Sequence, residues 1–245
     1  MKILEHKLVG NTEPICPYCN IKLEKMPARK TKCKNCDNYY YARTRPSDRK
    51  KVVLTEEQAK LVEEQWTEQR AVDEFNKDYL EVKQEFDEIK SFLTNQYGRE
   101  PRDYDVFWAT YNRLLSNYAK SFKWGFYRNI RLKMAQLLIR EKRTKQALDT
   151  LLEICYIDIN GPRNCGKIDW ELFKLFPPFD EKLGILAPGI IRMINDLLSE
   201  VSLSKTEIEN RFINISERLF ADLKILPIKP KDAWIKLSIE IKENT

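Results

Sequence analysis

The sequence holds one histidine, seven glycines and no long apolar run in its 245 residues. With His6 alone, neither a histidine-rich metal site nor a Ser-His-Asp hydrolase has enough imidazole to draw on. Seven glycines are few for the phosphate turns of a doubly wound nucleotide-binding enzyme. No segment reaches the roughly 18 consecutive apolar residues of a membrane-spanning helix. The opening Met-Lys-Ile-Leu-Glu-His-Lys has too short an apolar stretch for a signal peptide. The expectation is therefore a reducing, cytoplasmic setting with no membrane partner, where cysteines serve as metal ligands or core residues. Scarce glycine beside abundant Leu, Ile, Lys and Glu predicts a mainly α protein.

The net charge of +6 conceals a mosaic. Residues 1–51 carry 13 basic and 5 acidic side chains, and residues 52–119 carry 8 and 15. Residues 120–145 carry 9 and 1, and residues 146–245 carry 13 and 16. Two basic blocks thus flank an acidic one. Such blocks bind anions or pair with each other as solvated faces.

Cys16, Cys19, Cys33 and Cys36 form the most specific pattern, C-P-Y-C, thirteen residues, C-K-N-C. Each C-x-x-C pair sets two thiolates on one tight turn whose N–H groups point at sulfur. Four thiolates close a tetrahedral shell around Zn²⁺ and leave no open position, which makes the expected site structural, with one zinc. The spacing resembles that of the zinc ribbon over about residues 12–46. Zinc knuckles often place Gly after the second Cys, at φ > 0; here Asn20 and Asp37 stand there, and both tolerate that region. A ribbon this small cannot fold on apolar burial alone. Metal binding supplies the difference, on the order of 10 kcal/mol. The alternative use of C-x-x-C, a redox pair, lacks a thioredoxin-like βαβ pattern here.

Lys22, Lys25, Arg29, Lys30, Lys32, Lys34, Arg43, Arg45, Arg49, Lys50 and Lys51 surround the knuckles, with Tyr39-Tyr40-Tyr41 among them. Cations neutralise phosphates and exposed aromatic faces stack on unpaired bases. In a strand Tyr39 and Tyr41 share one face and Tyr40 takes the other. At least one tyrosine is expected in the ribbon's core. Arg29, Lys30, Lys32, Tyr39, Tyr41, Arg43 and Arg45 are the candidate nucleic-acid contacts, for DNA or RNA. A protein-docking ribbon is the rival use.

After Pro46 the chain reads as a link over 47–54, a long helix over 55–98 and a helical domain over 99–245. Thr55 and Gln58 make a capping box, with Glu56 and Glu57 in the first turn. Val72, Phe75, Tyr79, Val82, Phe86, Ile89 and Leu93 step 3-4-3-4-3-4, an apolar seam for later helices or for a second copy. Unbroken, this helix would run roughly 65 Å. Further helices are expected over 124–140, 144–157, 169–176, 188–201 and 204–223, the last with a Ser204–Glu207 capping box. Residues 232–242 read as helix or strand. The hairpin of 124–140 and 144–157 resembles a tetratricopeptide unit: Met134, Ala135 and Leu138 match its first helix, Ala147 and Leu151 its second. No second copy stands 34 residues away. The pair around 202–203 has a helix-turn-helix outline, but Glu207, Glu209 and Glu217 suit phosphate poorly. Cys155 reads as a core residue and Cys165 as a loop residue.

These parts assemble no catalytic constellation. Glu240-Ile241-Lys242, with Asp232 upstream, has the E-x-K form of metal-dependent nucleases, a short match. The leading expectation is a non-enzymatic adaptor whose zinc ribbon contacts nucleic acid and whose helical body engages a protein. A pure protein-interaction scaffold and an enzyme with an unrecognised site in 99–245 remain as alternatives.

Overall fold

A computed structural model describes residues 2–164, 175–223 and 225–241. Among these the chain is mainly helical, with eight α-helices and one small antiparallel sheet. It divides into two compact units, Met1–Gln84 and Glu85–Thr245.

The first unit holds β1 (Thr31–Lys32), β2 (Tyr39–Thr44), β3 (Lys51–Leu54) and α1 (Glu56–Glu81). The strand order is β1-β2-β3, and Asn11 pairs with Val53. Strand alternation sorts the side chains. Tyr40 and Val53 pack with Cys16 and Cys33 on one face, with Leu23 and Met26 beside them. Val52 and Leu54 pack with Ala59 and Val62 of α1 on the other, against Val9, Tyr41 and Trp66. Gly10, at φ +81°, allows this close approach, because a Cβ there would lie 2.3 Å from Leu54 Cδ2. The sheet is thus a partition, with the cysteines on one side and a helix on the other.

Two sequence expectations change here. Of residues 47–54, the last four form β3 (Lys51–Leu54), so half of this stretch belongs to the sheet and the rest is the turn that leads into it. The helix expected over 55–98 is interrupted at Val82, with α2 (Lys83–Tyr97) following. Val82 leaves helical geometry at φ −130°, although neither Gly nor Pro marks the place. The Thr55–Gln58 capping box forms as expected. Of the seam, Phe75 stacks on Tyr79 in the first unit and Phe86 packs on Phe107 in the second, centroids 4.7 Å apart.

The second unit comprises most of α2, then α3 (Asp103–Lys120), α4 (Trp124–Arg140), α5 (Thr144–Ile159), α6 (Pro188–Glu200), α7 (Lys205–Asp222) and α8 (Pro230–Ser238). Eleven of the sixteen residues of α5 are buried. A helix apolar on nearly every side belongs at the centre, and α5 touches α4, α6, α7 and α8. Leu151, Ile154 and Ile194 are fully buried in this core, with Phe212 set edge-on to Tyr156. Tyr156 and Asn160 tie α5 to the segment before α8. The Tyr156 hydroxyl donates to Ile228 O at 2.8 Å, and Ile228 N–H donates to Asn160 Oδ1 at 2.8 Å. Residues 230–238 are helical, resolving the helix-or-strand alternative at that end. The helix expected over 169–176 falls almost wholly on residues outside the described ones, as do Cys165 and Lys242.

Two cations of the second basic block are engaged within its own hairpin. Arg128 makes two 2.7 Å hydrogen bonds to buried Asp158, and Arg131 pairs with Glu153. Cys155 is a fully buried core residue of α5, as expected.

Candidate metal centre

The two C-x-x-C turns adopt one conformation. The N–H of each leading cysteine donates to the carbonyl five residues on, Cys16 to Ile21 at 2.9 Å and Cys33 to Asn38 at 2.8 Å. The carbonyl of each accepts from the N–H four residues on, that of Asn20 or Asp37, at 3.0 Å. Closing such a turn takes the residue after the second cysteine into the left-handed region. Asn20 and Asp37 both lie at φ 58°, the positions the sequence marks. Their short polar side chains make that conformation less costly than it is for other non-glycine residues.

The turns bring all four Sγ atoms within 4.8 Å of one another. Cys16 Sγ lies 3.8 Å from Cys36 Sγ, and Cys19 Sγ lies 3.8 Å from Cys33 Sγ. A disulfide needs about 2.05 Å, and all four are free thiols. A tetrahedron with metal–sulfur bonds of about 2.3 Å has edges of about 3.8 Å. The cluster can therefore hold one metal ion, and four sulfurs would fill its coordination shell. Among the described residues it is the one group of three or more His, Cys, Asp or Glu side chains so arranged.

Local dipoles favour thiolate at two positions. The Asn35 side chain and the Ile21 N–H hold Cys19 down at about 6. Backbone N–H groups of Cys36 and Asn35 hold Cys33 below the ordinary thiol range. Burial pushes Cys16 up to about 12. A bound divalent cation outweighs that burial and keeps all its thiol ligands deprotonated. Asn35 is a residue the sequence reading missed; its place between Cys33 and Cys36 was the available signal.

The seven candidate nucleic-acid residues separate into three groups. Lys30, Tyr39 and Tyr41 cluster at one end of the helix-covered face, and Lys32 stands on the edge strand β1, where it also lines a cleft on the metal side. The Lys30 ammonium lies 4.9 Å from the Tyr39 ring centroid and 5.0 Å from that of Tyr41. Tyr39 is 51% exposed, Tyr41 is half-buried, and Lys32 pairs with Asp37 at 3.1 Å. Arg29 is exposed on the metal side, lining a cleft. Arg43 and Arg45 are engaged inside the unit. Arg43 donates twice to Glu63 of α1. Arg45 is only 5% exposed, fixed by Asp48 at 2.6 and 3.1 Å and by the Val9 carbonyl at 3.1 Å. A guanidinium so placed joins the β2–β3 turn to the N-terminal segment and has no face left for phosphate. Tyr40 supplies the expected core tyrosine, 6% exposed beside Cys16 and Cys33.

No helix among the described residues is long and apolar enough to cross a membrane. No family model, curated protein or solved structure matches the chain.

Proposed function

We propose that the first unit is a zinc-held, non-catalytic module that binds nucleic acid. Zinc is the ion that four thiolates at this spacing suit best, since it takes sulfur readily and tolerates a closed tetrahedral shell. The observation that carries the binding half is the exposed group of Lys30, Lys32 and Tyr39, with Arg29 nearby in sequence, on so small a scaffold. Cations interleaved with an exposed aromatic ring suit phosphates and bases together.

A salt titration tests this. The full chain binds labelled DNA or RNA at low salt and loses affinity steeply as salt rises. The combined Arg29→Ala, Lys30→Ala, Lys32→Ala variant binds at least about ten-fold more weakly with its metal content unchanged. Absence of binding at low salt refutes the reading. Arg43 and Arg45 are left out of this variant because substituting them would unsettle the unit itself.

The same proposal gives the second unit the partner-binding half. Leu183, Ile185, Ile235 and Ile239 are exposed, and Ile185 and Ile239 border a groove of about 430 Å³. Exposed apolar patches of this kind mark protein contacts. A photo-crosslinker at Ile239 captures one defined protein, and Ile185→Lys abolishes that product; a crosslink unaffected by Ile185→Lys refutes this half.

A further inference from the structure

Resting on the nucleic-acid reading above, we infer that the ribbon's metal-side cleft takes unpaired nucleotides of a single strand. The cleft encloses about 740 Å³ beside the second knuckle. Its apolar lining comes from Leu23, Pro27, Ala28 and Tyr40. Its cationic lining comes from Lys22, Lys25, Arg29, Lys32 and Lys34, against the single acid Glu24. Glu24 lies 3.6 Å from Lys34, and Lys32 is engaged by Asp37. Lys22, Lys25 and Arg29 are exposed and have no carboxylate partner among the described residues.

Five cations against Glu24 and the net −2 of a four-thiolate zinc site adjoining at Cys33 leave a positive balance around one concavity, which raises the local potential and draws an anion in. The cleft's shape and lining then select among anions. An acidic peptide would satisfy the cations and leave the apolar lining without a counterpart. A duplex keeps its base faces stacked inside, and its grooves receive protruding helices or ribbons rather than filling a concave site. An unpaired nucleotide offers a flat apolar base for the interior of the cleft and a phosphate for its rim. The strand has a continuous route onward. β1 is the edge strand of the sheet, and Lys32, which lines the cleft, is register-paired with Tyr39. A chain leaving the cleft over that edge meets Lys30 and the exposed Tyr39 ring as a stacking platform.

The test uses the full-length, metal-loaded chain and fluorescence anisotropy. Probes are mixed-sequence oligonucleotides of about 12 nucleotides, as single-stranded DNA, single-stranded RNA and duplex DNA. Both single strands bind about ten-fold more tightly than the duplex, and their ratio tells DNA from RNA as the source. The log–log salt slope for single strands is about −3, at roughly 0.7 per neutralised phosphate. Lys22→Gln, Lys25→Gln and Arg29→Gln together flatten it by about 2 while metal content stays unchanged. Equal or tighter duplex binding, or an unchanged slope in the triple variant, overturns the cleft assignment and leaves the nucleic-acid reading standing. Competition by a poly-glutamate peptide of matching charge as effective as the single strand also overturns it. Failure of every oligonucleotide to bind at low salt overturns both.

Discussion

In the first unit, the buried cluster around the cysteines holds four residues, Cys16, Cys33, Tyr40 and Val53. The second unit buries twenty-five in one continuous cluster built around α5. At roughly 1.5–3 kcal/mol for each large apolar side chain removed from water, the second cluster can hold its helices by packing. The first cannot, and half of what it buries is cysteine. The difference shows what the metal is for in the proposed account. It stands in for a core that some fifty residues are too few to build. It also frees the surface: a fold held from within by four sulfurs can leave Lys22, Lys25 and Arg29 unpaired. In the second unit, by contrast, Arg128 and Arg131 are tied to acids of α5.

The largest expected effect would separate the two units outright. Stripping the metal with a high-affinity chelator removes on the order of 10 kcal/mol from the first unit. Hydrogen exchange should then lose its protection over residues 10–54 and keep it over α4 and α5. Loss in both units together, or in neither, breaks the contrast. Next in size is Leu151→Ala, a fully buried position in α5. It should cost about 2–5 kcal/mol, seen as a lower denaturant midpoint for α4–α8, with metal content unchanged. A metal-dependent change in that midpoint would show that the units do not unfold independently.

The smallest effect is electrostatic and confined to the second unit. The Ser204 backbone N–H, aided by its hydroxyl, holds the Glu207 carboxyl below its usual range. A depressed carboxylate pKa adds stability that is present above about pH 4.3, the unfolded value. That stability is lost as pH falls through the folded value. Glu207→Gln should therefore lower the second unit's thermal stability at neutral and alkaline pH and match the parent below the folded value, which flattens the acid side of the profile. An unchanged acid limb counts against the capping box as a contributor.

Much of this was legible in the sequence where the physics is local. The C-x-x-C turns need only a few consecutive residues, so their spacing, with Asn20 and Asp37 at positive φ, could be read directly. Both capping boxes, Thr55–Gln58 and Ser204–Glu207, span four residues and formed as read. What stayed hidden was set by distant partners. Val52-Val53-Leu54 is too short and too near Lys50 and Lys51 to declare a strand, and its pairing with β2 and Asn11 makes it one. Arg45 looks like any other cation until Asp48 and the Val9 carbonyl, thirty-six residues away, enclose it. The start of α4 has no local cap; Asn164 accepts from Phe126 N–H at 3.0 Å from thirty-eight residues on. The cleft likewise joins residues from the loop after the first knuckle to the second knuckle, and charge counting along the chain could not separate it from the Tyr39 face.

The central claim is that a single closed zinc site holds the first unit. Elemental analysis of the purified full-length chain, before and after Cys16→Ser and Cys33→Ser, addresses it most directly. The account predicts one zinc per chain, lost in the double variant along with hydrogen-exchange protection over residues 10–54. A chain that is metal-free yet fully protected there, or one that keeps its zinc without Cys16 and Cys33, would contradict it.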